Sequence, residues 1–391
     1  MSGWLDQIFV LLKRWAVGLF PEPLQPFISI LLSIAPIIAV FGLLFGIVTV
    51  LERKGLGRIQ NRLGPNRVGP YGFLQFVADG IKALIKEDVV PAAADRVVHF
   101  IAPFVMLVPV LLAYSVLPFG RGMTAIDFDA GVLFFFAAGS VTELALFMAG
   151  WSSRNKYSLL GALRAIAQMI SYEVPLILAA AVVVMMMGSL STVAIVEKQA
   201  VFSGILANWN IFTPWGLAAF LLFIVAAVAE SNRSPFDLPE GESEIIAGYF
   251  VEYSGFKFAL FFLGEYLGMF AVSGLAITLF LGGWSAPFSF LDWLPSWFWF
   301  FAKLLCFVAF YIWIRGTLPR LRMDQLMNFA WKFLIPLGLF NLIIAAIWHF
   351  VGGGLRGWAI CGALLLAAYT GLGNALFKRR KWTKRTYRYA S

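Results

Sequence analysis

Apolar stretches about twenty residues long alternate along this chain with short polar segments. Nine such stretches can be read, at roughly 27–51, 98–118, 131–151, 161–187, 215–231, 256–282, 297–316, 333–352 and 357–376. At about 1.5 Å rise per residue, ~20 helical residues cross a hydrocarbon core ~30 Å thick. The pattern predicts an all-α polytopic membrane protein with about nine transmembrane helices. It divides the chain into an N-terminal extension (1–26), a single membrane domain (27–376) and a basic cytoplasmic tail (377–391). The extension does not read as a signal peptide, because Lys13 and Arg14 interrupt its apolar run and no small-residue cleavage site precedes the first span.

Between the first two spans the pattern changes period. Phe73, Phe76, Val77, Ile81, Leu84 and Ile85 recur at helical spacing, while Gln75, Asp79, Lys82 and Lys86 share the opposite face. That arrangement predicts an amphipathic helix lying on the membrane surface, too short to span it. Just before it, NRLGP and NRVGP form a near-repeat. Each unit ends in Gly-Pro, so the segment is a rigid, extended turn region. The opposite loops read as short turns.

Composition agrees with the pattern. The chain of 391 residues is 61% hydrophobic and only 13% charged, against about a quarter charged in an ordinary soluble domain. Its net charge of +9 follows from topology. With the N-terminus outside, the basic residues crowd the inner segments and the tail, leaving only Lys13, Arg14, Arg121, Lys198, Lys303 and Arg356 outside. No nucleic acid is needed to explain the charge. Cys306 and Cys361 form no CxxC pair, and His99 and His349 fall near opposite ends of their spans. Neither an iron–sulfur cluster nor a haem clamp is indicated, and no GxxxxGK[ST] motif is present.

Acids are the anomaly. The inner loop after the fifth span carries Asp237, Glu240, Glu242, Glu244 and Glu252 against one base, Arg233, and Glu230 stands at its mouth. Glu143, Glu173 and Glu265 lie within spans, where an ionised carboxylate costs roughly 3 kcal/mol or more. Counting residues from the inner ends puts Glu143 ~12 Å, Glu265 ~14 Å and Glu173 ~18 Å deep, with Glu230 at the surface. The expected arrangement is a graded line of proton stations running inward from the loop. In the fourth span Arg164, Gln168 and Ser171 form a polar stripe, and Pro175 frees the carbonyl of Ser171. A wet cavity is expected beside that kink.

Four long segments carry a family resemblance: ERKGLGRIQNRLGPNRVGPYGFLQFVADGIKALIKED, GALRAIAQMISYEVP, AESNRSPFDLPEGESEIIAGYFVEYSGFKFALFFLGEY and WIRGTLPRLRMDQLMNFAWK. Over about residues 27–345 the chain resembles the quinone-channel membrane subunits of respiratory complex I, the H subunits of NADH–quinone oxidoreductase. The resemblance implies a multi-pass subunit of a proton-translocating enzyme in the bacterial inner membrane. Such a subunit forms the entrance of a tunnel for ubiquinone or menaquinone and binds neither metal nor flavin. Implied partners are the peripheral-arm quinone-site subunits, the adjacent membrane-arm subunits and lipids. The match implies channel roles for Arg53, Arg62, Asp79, Phe262 and Arg315. It implies proton-coupling roles for Glu52, Glu143, Tyr172, Glu173, Glu230, Asp237, Glu240, Glu242, Glu244, Glu252 and Glu265, with Arg53, Arg62, Arg233 and Arg315 as their countercharge. The membrane anchor of a related energy-converting hydrogenase would share the fold. A proton-coupled secondary transporter would explain the buried acids, although the chain shows no internal repeat of the kind such proteins often carry.

Overall fold

The computed structural model describes residues 5–237, 246–352 and 354–378. Among them the chain forms helices almost throughout, and its only strands are a two-residue antiparallel pair, β1 (Phe202–Ser203) and β2 (Leu206–Ala207). The helices are α1 (Ile8–Gly18), α2 (Gln25–Ile59), α3 (Gln75–Ile85), α4 (Arg96–Ala113), α5 (Gly131–Ser152), α6 (Lys156–Met187) and α7 (Thr192–Gln199). They continue as α8 (Pro214–Glu230), α9 (Gly255–Phe280), α10 (Ser296–Thr317), α11 (Met323–Phe329), α12 (Ile335–Val351) and α13 (Leu355–Lys378). Eight of the described helical segments are long and apolar enough to cross a membrane, and α8 is a shorter ninth apolar helix. The expected surface helix is α3.

The bundle is organised around α9. Over its most apolar stretch 78% of residues are buried, against 17% for α13 at the edge. A helix that is apolar all round belongs inside a bundle, and α9 reads GFKFALFFLGEYLGMFAVSGLAITLF. Its glycines let neighbours close in: a Cβ at Gly264 would stand 2.8 Å from Met106 of α4, and one at Gly274 3.0 Å from Leu117. Caps set several helix starts. Asp95, Asn155, Ser191 and Thr213 each accept backbone N–H bonds at the first turns of α4, α6, α7 and α8.

Three boundaries differ from the hydropathy reading. The first span does not stop at 51. Its helix runs on to Ile59, because Leu56 and Ile59 pack against Gly316 of α10 and Gly55 lies against Ile312. Glu52 and Arg53 therefore stand on a rigid helix rather than in a loop. Residues 188–213, expected as a simple turn, form a built structure. Gln199 donates to the carbonyls of Thr278 and Leu279, its own side-chain carbonyl accepts from Asn210 and Gly282, and Lys303 donates to the carbonyls of Leu281, Gly283 and Ser285. Hydrophobicity alone does not reveal such a network, since a few polar residues carry it. The extension also has a place in the bundle: Phe9 meets Trp297 edge-on at 5.6 Å, and Lys13 donates to Ser33 at 2.6 Å.

On the other side of the membrane two backbones touch. A Cβ at Gly161 of α6 would lie 2.5 Å from the Cα of Gly248, in the turn that carries Tyr249. Gly161→Val must push that turn away, an overpacking strain of about 1–3 kcal/mol. The variant is expected to unfold at lower temperature in detergent. Gly42→Ala, with open space at its Cβ, is expected to unfold like the unaltered chain.

Candidate functional site

Where the end of α2 meets α9, α10 and the turn after α8, one carboxylate gathers three helices and a loop. Glu52, on α2, accepts two bonds from Arg233 Nη1 at 2.9 and 3.1 Å. It also accepts from Arg315 at the end of α10 and from the hydroxyl of Tyr266 on α9. The Arg233 guanidinium lies over the Tyr266 ring, 3.9 Å from its centre. The Arg233 and Glu52 side chains are only 9% and 6% exposed, whereas Arg315 reaches water at 36%. Burial works against the charge on Arg233. Tyr266 and Glu52 outweigh it, and hold the guanidinium's pKa above its ordinary range. The family resemblance implies Arg233 and Arg315 only as general countercharge to the acids; the fold pairs both with Glu52. Tyr266, the fourth member, is not foreseeable from the sequence, because nothing local to it distinguishes it from other aromatic residues in α9.

One residue further along α2, Arg53 pairs with Asp79 of α3 at 2.6 Å, and Gln75 donates to the same carboxylate at 3.1 Å. Partial burial raises the Asp79 pKa, but the Gln75 hydrogen bond and the charge and hydrogen bond of Arg53 more than offset it, so Asp79 stays below the usual carboxylate range. Successive residues of one helix thus face two different groups: Glu52 the buried bases, Arg53 the surface helix. Arg62 is not drawn into either; it is exposed and donates to Gln60. Phe262 is half-buried, stacked on Phe250 at 5.3 Å and near Phe258 at 4.7 Å.

Above this level lies a cavity of about 60 Å³, with room for several waters. Its walls include Thr142 and Gly139 of α5, Met169 of α6, Glu230 of α8, and Glu265 and Gly268 of α9. Glu265 accepts from the Tyr249 hydroxyl at 2.8 Å and lies within electrostatic reach of Arg233. Glu143 and Glu173 stand nearby on α5 and α6, close enough to Glu230 for their charges to be felt, and Glu173 accepts from Ser140. Glu143 Oε1 and Glu230 Oε2 are buried with no hydrogen-bond partner among the described residues. Glu230, expected at the membrane surface, is the last residue of the 17-residue α8 and lines the cavity. Glu230 and Glu265 thus face one space, with Glu143 and Glu173 beside Glu230.

Helix α6 meets the cavity through Met169; Arg164, Gln168 and Ser171 of the polar stripe, and Pro175, are not among its lining residues. Gln168 in that stripe is buried, reaching the carbonyls of Ala229 at 2.8 Å and Phe236 at 2.7 Å, so it fixes the turn after α8. Tyr172 donates to the Leu326 carbonyl at 3.0 Å and packs on Phe236. Asp237 pairs with Arg320 at 3.0 Å. Glu252 accepts from Asn155 at 2.7 Å, and its carbonyl faces the His99 ring. Glu240, Glu242 and Glu244 lie outside the described residues. Among the described residues no three His, Cys, Asp or Glu side chains are grouped as a metal site.

A family model described as NADH dehydrogenase matches residues 32–346. The H subunit of the NADH-quinone oxidoreductase of Dehalococcoides mccartyi (strain CBDB1) is 52% identical over 311 residues, covering 78% of this chain and 84% of the relative. The protein of the same name from Geobacillus kaustophilus is 46% identical over 326 residues, covering 82% and 93%. That of Polaromonas naphthalenivorans is 41% identical over 338 residues, covering 85% and 94%.

The burial of Glu52 and Arg233 fixes how the group responds to substitution. Glu52→Gln leaves two guanidinium groups without their carboxylate and is expected to cost about 3–5 kcal/mol. Arg315→Met, truncating the member in contact with water, is expected to cost about 1 kcal/mol or less. The double variant Glu52→Leu with Arg233→Met removes both buried charges and is expected to be more stable than either of its single variants. Thermal unfolding of the unaltered chain, the two singles and the double closes a double-mutant cycle that measures the coupling.

Proposed function

We infer the role of this chain from its family: it belongs to the H-subunit family of NADH-quinone oxidoreductase, and we propose that it forms the quinone entrance of that enzyme and couples quinone reduction to proton movement. As in its relatives' name, the enzyme is the assembled oxidoreductase, and this chain is one of its membrane subunits. The observation that carries the reading is the adjacency on α2. Arg53 reaches Asp79 on the surface helix, while Glu52 holds Arg233, which in turn faces Glu265 in the cavity.

In this reading quinone approaches between α2, α3 and α10, past Arg53, Asp79 and Arg315, with Phe262 packing against its apolar tail. Arg62 sits at the outer rim. Reduction of a quinone takes up two electrons and two protons, so the charge near the tunnel changes. Arg233 passes that change on: when Glu52 or Arg315 shifts, the positive charge felt by Glu265 shifts too. Glu230 and Glu265 line one cavity and the charges of Glu143 and Glu173 reach Glu230, so the protonation of the four is a property of the set. A carboxylate in such a space takes or gives a proton more readily than one locked in an ion pair. Glu252, Asp237, Tyr172 and the loop acids Glu240, Glu242 and Glu244 connect the cluster to the inner surface. In this orientation the N-terminus is outside, the C-terminus is cytoplasmic, and the membrane is the bacterial inner membrane. The electrons arrive from a partner subunit.

Glu173→Gln and Glu265→Gln retain size and hydrogen bonding but remove titration. In proteoliposomes containing the assembled complex, each is expected to lower quinone reduction and proton uptake at least about tenfold. Electron transfer to a soluble acceptor that bypasses the membrane should stay normal. Unaltered quinone reduction and proton uptake in both variants would remove these residues from the mechanism.

Assembly gives a separate check. Residues 52–97, 246–255 and 315–332 hold the structured, charged surface of the inner face, and the peripheral-arm subunits are expected to cover them. Single cysteines placed there should react with a water-soluble maleimide in the isolated chain and be protected in the complex. Equal labelling in both states would count against docking through this face.

A further inference from the structure

At the end of the bundle away from Glu52, three remote segments build a small pocket of about 50 Å³. Its walls include Asp6 from the extension, Arg121 from the α4–α5 loop, and Trp284, Asp292, Ser296 and Trp299 from the segment that leads into α10. Ser296 joins the three. Its backbone N–H donates to Asp6 Oδ1 at 2.7 Å, and its hydroxyl accepts from the backbone N–H of Arg121 at 3.0 Å. The Arg121 side chain lies over the Trp284 ring, 4.8 Å from its centre.

This accounts for Asp6, whose carboxylate caps the start of α10 where the helix dipole favours a negative charge. It leaves three side chains with no ion pair or side-chain hydrogen bond among the described residues, Arg121 resting only on the Trp284 ring. Among the described residues Arg121 and Asp292 make no ion pair, with each other or elsewhere, although both line the same pocket. Trp299 Nε1 is buried without a hydrogen-bond partner. An unpaired base, an unpaired acid and an indole donor around one opening are the complement of a zwitterion. Phe290, Trp293 and Phe298 of the same segment are exposed, and Trp is enriched at headgroup depth in a bilayer.

We propose that this pocket binds the headgroup of an amine-bearing zwitterionic phospholipid. The phosphate is held by Arg121 and the indole N–H of Trp299, and the primary ammonium is held by Asp292. The indole and phenyl rings rest on the glycerol and upper acyl region. An anionic lipid would bring its charge toward Asp292 and Asp6, and a choline headgroup has no N–H to give to a carboxylate. Charge therefore selects phosphatidylethanolamine over phosphatidylglycerol, and hydrogen bonding selects it over phosphatidylcholine. The extension takes part directly, since Asp6 anchors Ser296 and with it the Arg121 wall.

The test is native mass spectrometry of the full chain in detergent, titrated with phosphatidylethanolamine, phosphatidylglycerol or phosphatidylcholine of matched acyl chains. The expected result is one phosphatidylethanolamine retained with about tenfold preference over the other two. Asp292→Asn should abolish the preference over phosphatidylcholine, and Arg121→Gln should weaken retention of phosphatidylethanolamine and phosphatidylcholine alike. Both substituted side chains are exposed, so the fold survives, and an unchanged thermal unfolding midpoint checks it. Free phosphoethanolamine at millimolar concentration should fail to displace the lipid; displacement would assign the pocket to a soluble zwitterion and overturn the lipid reading. Equal retention of the three lipids, or an unchanged preference in Asp292→Asn, would also overturn it.

Discussion

Burying the Glu52 carboxylate with the Arg233 guanidinium, and with Arg315 at the edge of water, at the seam between α2, α9, α10 and the turn after α8 is the constraint on which this end of the molecule depends. Taking those charges out of water is expensive, and their attraction offsets the cost only when every contact is in place. Glu52 can be satisfied only if α2 continues straight past its apolar stretch, if α10 presents Arg315 at its last turn, and if the chain leaving α8 turns back at Arg233. The Tyr266 hydroxyl and ring close the arrangement. Position, more than net stability, is what such a group supplies: it sets where α8 ends, and so where Glu230 points.

From that fixed point the rest of the site follows. The turn after α8 is held a second time by Gln168, which reaches the Ala229 and Phe236 carbonyls from α6. Tyr249, brought against α6 by the close contact of Gly161 and Gly248, delivers its hydroxyl to Glu265. Helices and turns pinned in this way form the walls of the small space that Glu230 and Glu265 line.

How much of this is legible in the sequence depends on the range of the interaction. Helix number, the surface helix Gln75–Ile85 and the intramembrane acids are local patterns of hydrophobicity, and they can be read directly. The partnership of Glu52 with Arg233 joins residues 181 apart; charge type suggests that such a base needs an acid, but not which one. That Glu230 lines a cavity is not readable from a local pattern, because the turn after its 17-residue helix is held by the distant partners of Arg233 and Gln168. The polar network of Gln199, Asn210 and Lys303 escapes a sequence reading because its partners are backbone carbonyls, which every residue offers. Family resemblance supplies residue roles that no periodicity could.

Helix α8 is also short for the bilayer it stands in. Its 17 residues reach about 26 Å at 1.5 Å per residue, a few ångströms less than a typical hydrocarbon core. Facing lipid, it would force the acyl chains around it to thin. Instead Ala218 of α8 lies in an apolar cluster with Ile344 of α12 and Cys361 and Leu365 of α13, and the continuous stretch Met323–Val351 that ends in α12, like α13, is of full spanning length. The mismatch is thus absorbed by protein on this side. The matched family region ends at residue 346, so α13 lies beyond it. This last helix acts as a fender: it meets the lipid at normal thickness and frees the short helix beside the acids to be as short as the cavity requires.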